Sequence, residues 1–120
     1  MIDWPSVRYF TRDEFRYHAD VEPDPALVRM LDNARGIAGI AFVINSGIRS
    51  PERNAEVGGV LESPHLSGHA VDIRVRNGAE RFAIVAALLA CGARRIGVAR
   101  TFVHVDTDPG KPQEVLWLYS

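Results

Sequence analysis

Ten residues constrain this chain more than any others: Ser63 to Asp72, SPHLSGHAVD. His65 and Asp72 stand seven positions apart, with Gly68 between them. Any fold must turn the chain at Gly68 and bring the loop carrying His65 back beside the segment carrying Asp72. His104 follows thirty-two positions after Asp72, in the run His104-Val105-Asp106. Imidazole nitrogen and carboxylate oxygen are the ligands that a zinc ion uses when it keeps one position open. His65, Asp72 and His104 are therefore candidate metal ligands. The plain alternative for His104 and Asp106 is a polar strand face with both imidazole nitrogens satisfied.

Length and composition bound what surrounds this stretch. The chain of 120 residues suits one domain, residues 1–120, with a single core. A formal net charge of -1 gives no basic surplus for nucleic acid, and Arg94-Arg95 is too short a run to hold phosphates. The one cysteine, Cys91, excludes an internal disulfide and a cysteine zinc cage. It lies in the apolar run Ala83 to Cys91, which predicts a buried structural thiol. The opening MIDWPSVRYF has no apolar signal-peptide core, and no apolar run approaches the roughly twenty residues of a membrane span. The expectation is synthesis in the cytoplasm without membrane insertion.

Local signals set the elements. Thr11 to Glu14 has the spacing of a capping box, with a short helix running to about Tyr17. His18 at its end reads as a cap rather than a ligand. Asp24-Pro25 opens a second helix, with Leu27, Met30, Leu31 and Ala34 on one face and a stop between Gly36 and Gly39. Ile40 to Asn45 reads as a buried strand, and Ser50-Pro51 as the start of a short helix to Val57. Ala70 to Val75 alternates as a strand, with Asp72 on the face opposite Val71 and Ile73. Asn77 caps a helix over Gly78 to Ala90 that is apolar nearly all round and is expected to be largely buried. Arg95 to Ala99 and Thr101 to Thr107 read as strands with too little between them for a standard hairpin. Val115 to Tyr119 reads as a last strand, with Trp117 and Tyr119 as core residues rather than a sugar-stacking platform. Helices first, then strands with a helix inserted, predict an α+β fold with a mostly antiparallel sheet.

The ordered set Ser46-Gly47-Ile48-Arg49-Ser50, Asn54, Ser63 to Asp72 and Phe102-Val103-His104-Val105-Asp106 resembles the peptidase M15 family. These are zinc peptidases of the D-alanyl-D-alanine carboxypeptidase and murein endopeptidase type, and the likeness is to their short bacterial and phage branch. It covers roughly residues 40–107. The resemblance implies the Hedgehog/DD-peptidase fold, an antiparallel sheet with helices packed on one side. It implies zinc on His65, Asp72 and His104, with Arg49 holding a substrate carboxylate and Ser63 binding substrate or orienting the metal site. It also implies hydrolysis of an amide bond in peptidoglycan stem peptides or cross-links.

Many relatives carry an acid or histidine two or three positions before the last zinc histidine. Here Phe102 and Thr101 occupy those places. Asp106 is the residue expected to take the proton, with a positioning partner of a metal histidine as its alternative role. His69 is the second candidate base. The functional alternative is a non-catalytic, zinc-stabilised module that binds cell wall in a phage or envelope assembly. A wall substrate puts the site of action outside the cytoplasm, in the periplasm or after phage lysis.

Overall fold

The computed structural model describes residues 2–15, 21–47 and 64–119. Its order is two short 3-10 turns, Trp4–Ser6 and Arg12–Phe15, then helix α1 (Pro25–Ala38), strands β1 (Ile44–Ser46) and β2 (Ala70–Arg74), helix α2 (Gly78–Ala90), and strands β3 (Arg95–Val98), β4 (Phe102–Asp106) and β5 (Val115–Leu118). The strands form one sheet in the order β1-β2-β4-β3-β5. All pairs are antiparallel except β3 with β5. The α+β reading with a mostly antiparallel sheet holds, and the arrangement is compatible with a Hedgehog/DD-peptidase-like fold.

Both helices form where local signals place them. The Asp24 carboxylate accepts from Ala26 N at 3.4 Å, and Pro25 occupies the first turn, where its missing N–H costs nothing. Leu27, Met30, Leu31 and Ala34 are buried together with Val28 and Asp32. Asn77 accepts from Glu80 N at 2.9 Å to start α2. The helices pack on each other and on the sheet face made by Val71, Ile73, Ile96, Val103 and Val105. Phe10 and Phe15 close the core from the N-terminal segment, with ring centroids 5.6 Å apart.

Several expectations need correction. The Thr11–Glu14 box does form, with Thr11 N donating to Glu14 Oε1 at 2.9 Å, and its described part, Arg12–Phe15, is a 3-10 turn; the expected end near Tyr17 lies outside the described residues. The first strand begins at Ile44, not Ile40; Val43 only accepts from Arg74 N, at 2.8 Å. Helix α2 is not buried all round: Ile84, Ala87 and Leu88 are buried, while Phe82 is 74% exposed and Leu89 55%. One face meets α1 and β4, and an alanine-rich apolar helix gives no pattern to say which. Cys91 is only partly buried against the core. The β3–β4 hairpin has its turn at Ala99 to Thr101, so both strands are shorter than expected.

The sheet's other face carries Ala70, Asp72, His104, Asp106, Arg95, Gly97 and Trp117. The ladders align Ser46 with Asp72, Asp72 with His104, His104 with Gly97, and Gly97 with Trp117. One transverse row thus crosses all five strands. A register irregularity between Ile44 and Ser46 sets β1's end into that row.

Candidate metal centre

Asp72 reaches the site because β2 alternates, and His104 reaches it because β4 pairs with β2 in that register. His65 arrives from the turn over residues 64–68. That turn closes by His69 N donating to Pro64 O at 2.9 Å and is tied to α1 by Asp24 N donating to Gly68 O at 2.8 Å. Gly68 has φ +78°, and a Cβ there would stand 2.5 Å from Glu22 O. Only glycine suits that backbone and that approach.

His65, Asp72 and His104 are all buried and offer ligand atoms within 4.8 Å of one another. His104 Nδ1 lies 2.9 Å from Asp72 Oδ1, and His65 Nε2 lies 3.4 Å from the same oxygen. A tetrahedral ion with bonds of about 2.0–2.1 Å has edges of roughly 3.3 Å. The donor spacing is therefore close to what such an ion requires.

The outer nitrogens decide which atoms face inward. His65 Nδ1 lies 2.7 Å from Gly47 O, a carbonyl that can only accept, so Nδ1 carries the proton and Nε2 turns toward Asp72. His104 Nε2 donates to Asp106 Oδ2 at 2.7 Å, which turns Nδ1 toward Asp72. A metal-binding histidine is typically held this way, by a carbonyl or carboxylate on its far nitrogen. Two imidazoles and one carboxylate, with no thiolate, suit a divalent ion that keeps an open position.

The support extends one layer further. Asp106 Oδ1 accepts from Arg95 Nε at 2.7 Å and from Asp108 N at 3.1 Å. Arg95 also donates from Nη1 to Pro112 O at 2.6 Å, and its guanidinium lies 4.9 Å from the centre of the Trp117 ring. The Trp117 ring is itself 5.5 Å from His104.

Charge follows these contacts. Burial would raise the Asp72 carboxyl, but hydrogen bonds to His104 and His65 bring it down to about 2. Burial would lower His104, but its bonds to Asp106 and Asp72 raise it above the ordinary histidine value. Burial likewise opposes ionisation of Asp106, yet His104 and Arg95 hold its carboxyl below the usual range. These contacts favour the charged forms of Asp72 and Asp106 and make His104 hold its proton more tightly than an ordinary histidine.

The structure brings His65, Asp72 and His104 together. It sets Asp106 behind His104, fully buried, with both oxygens engaged. His69 is outside the cluster; its Nδ1 lies 2.7 Å from Ser67 Oγ. Arg49, Ser63 and His18 lie outside the described residues. Trp117 and Tyr119 are not core residues: Trp117 is half-buried beside His104, and Tyr119 is 42% exposed with its ring 5.1 Å from Phe102. Sequence reasoning missed Arg95, Gly97 and the Gly47 carbonyl. The signal for the first two was present, since a tight hairpin between Arg95-Ile96-Gly97 and His104-Val105-Asp106 sets Gly97 opposite His104.

The α+β domain thus carries, on the sheet face opposite its core, a buried His–Asp–His group that could hold a metal ion. The family model for Peptidase M15 matches residues 9–106, and the chain belongs to that family. M15 peptidases are metal-dependent, and the His65–Asp72–His104 group is what fits a metal among the described residues. No curated protein matches the chain. No helix among the described residues is long and apolar enough to cross a membrane.

Proposed function

We propose that this chain is a zinc-dependent peptidase that hydrolyses an amide bond in the stem peptides or cross-links of peptidoglycan. One observation carries the reading. Both histidines have their outer nitrogens committed to hydrogen bonds, so that their inner nitrogens meet Asp72 at 2.9 and 3.4 Å. His65, Asp72 and His104 would hold the ion. Zinc in such a site supplies a Lewis acid and lowers the pKa of its water from 15.7 to about 7.

The chain's own residues do the rest. Arg49 is proposed to hold a carboxylate of the peptide through its planar guanidinium, which would fix the scissile bond relative to the metal. Ser63 is proposed to assist in binding substrate. Asp106 acts through His104 rather than on water, because its carboxylate meets Nε2, the nitrogen turned away from Asp72. Of the two groups expected to carry the proton, His69 keeps a partly exposed ring, anchored to Ser67, and His69→Ala is the variant that tests it. The expected site of action is the cell wall.

The test is metal content together with muropeptide digestion, on wild type and on His104→Ala. About one zinc per chain and new peptide fragments from wild type, with neither from the variant, supports the enzyme. The fragment masses then name the bond. Bound zinc with no fragment from several wall types points instead to a module that binds wall peptide.

A further inference from the structure

The row of residues across the sheet does not stop at the metal ligands. Gly97 faces His104 on one side and Trp117 on the other. A Cβ on Gly97 would stand 2.5 Å from Trp117 Nε1 and 2.6 Å from Tyr119 Cε2. The bare backbone at Gly97 is therefore the floor on which the indole lies to reach His104. Arg95, two residues earlier on β3, lies against that same ring and bonds Asp106, which bonds His104. Its second bond, to Pro112 O, fixes the connection from β4 to β5, so β5 is delivered with Trp117 in place.

His104 is thus held from two directions by groups that touch no ligand atom. Asp106, backed by Arg95, sets the ring's rotation through Nε2. Trp117, seated on Gly97, blocks the side on which the ring would otherwise swing away from Asp72. A histidine on a strand has two soft side-chain torsions, and fixing both requires a hydrogen bond and a wall. The Nε2–Asp106 bond is itself dry, the Asp106 side chain being fully buried, which strengthens it.

We infer that Arg95, Gly97 and Trp117 are positioning residues that preset His104 for metal binding, making the C-terminal strand part of the metal centre. This rests on reading His65, Asp72 and His104 as metal ligands. Gly97→Ala is the informative variant, because it alters no group of the Arg95–Asp106–His104 chain and adds one methyl beneath the indole. Trp117→Leu removes the wall from an edge strand outside the core. Trp117→Phe restores a flat ring.

The experiment measures Zn²⁺ affinity by chelator competition and the visible spectrum of the Co²⁺ form, with melting of the metal-free protein recorded beside them. Gly97→Ala and Trp117→Leu are expected to bind Zn²⁺ about tenfold more weakly than wild type, with altered cobalt bands, and Trp117→Phe to stay within about twofold. Arg95→Gln is expected to match Gly97→Ala in direction. Folded Gly97→Ala and Trp117→Leu proteins with wild-type affinity and cobalt bands would overturn the inference and leave the zinc reading intact. A wild type that binds neither ion overturns both.

Discussion

His104 and Asp72 face each other directly across the β2–β4 ladder, with His104 Nδ1 2.9 Å from Asp72 Oδ1. The contact comes from strand register rather than from a flexible loop, so its geometry is set by backbone hydrogen bonds on both sides. A one-residue slip of β4 would turn His104 into the core and Val105 into the site. The apolar burial of Val103 and Val105 on the opposite face therefore holds the ligand pair in place. Only His65 comes from a turn, and that turn is anchored at Gly68 and Gly47.

Asp106→Asn tests the positioning role proposed for this carboxylate against a direct part in proton transfer. An amide carries no charge and offers one acceptor oxygen in place of two, so it can accept from His104 Nε2 or from Arg95 but not from both. The expected result is Zn²⁺ affinity reduced about 10- to 100-fold, with activity largely recovered at saturating Zn²⁺. A direct proton acceptor would behave otherwise: metal content would stay at wild-type level while kcat fell and excess zinc gave no rescue.

Gly68→Ala should destabilise the fold and damage the site together. The substitution forces a side chain into φ +78° and sets its Cβ 2.5 Å from Glu22 O, which is backbone and cannot rotate away. A cost of about 1–3 kcal/mol is expected from the backbone strain, and the turn carrying His65 must shift. Melting temperature and Zn²⁺ affinity should fall in the same variant. A lower melting temperature with unchanged affinity would show that the His65 turn does not depend on Gly68.

Much of this was legible in the sequence because the signals are local. Asp24-Pro25 and Asn77 start helices through their own hydrogen-bonding groups, and the structure begins both helices there. His65, Asp72 and His104 stand out because their chemistry is unusual for the positions they hold. The rest depended on pairing between distant segments. Trp117 and Tyr119 read as core because alternating aromatics ordinarily are, and nothing near them reveals that Gly97 clears a place on the open face. Residue parity puts Asp106 on the metal face, and the ladder places it there. Parity alone does not give Arg95 as its partner; the local β3–β4 hairpin register does, by setting Arg95 beside Asp106. The parallel pairing of β5 with β3 was not legible, since a five-residue run carries no record of its neighbour.

Asp32 offers a control far from the metal. It is buried at 7% exposure on α1, where its carboxylate accepts from Tyr9 N at 2.9 Å and Arg8 N at 3.2 Å, with Arg8 Nε at 3.3 Å. Asp32→Ala leaves two backbone donors without their partner. A loss of about 1–3 kcal/mol in unfolding free energy is expected by denaturant titration. Zn²⁺ affinity of the folded fraction should stay unchanged, and a change in it would mean that the N-terminal segment is coupled to the metal centre.

Stability and metal binding should respond to pH in opposite senses. His104 is raised above its ordinary value of about 6.5 by Asp106 and Asp72 against the cost of burial. A raised histidine contributes stability that is fully present below its unfolded pKa and is lost as pH rises through the folded one. Asp72, lowered from 3.8 to about 2, contributes above its unfolded pKa and loses that contribution as pH falls through the folded value. The cluster therefore supports the metal-free fold best between about pH 4 and 6.5. A metal ion must displace the proton on His104 Nδ1, so its apparent affinity should climb by about tenfold per pH unit while that proton is present. The metal-free melting temperature is expected to fall as pH rises above about 6.5, while the increment from added Zn²⁺ grows over the same range. Melting curves with and without chelator across that range test both. A metal-free melting temperature that rises toward pH 9 would mean that His104 is neutral in the empty site and that the cluster is held by other contacts.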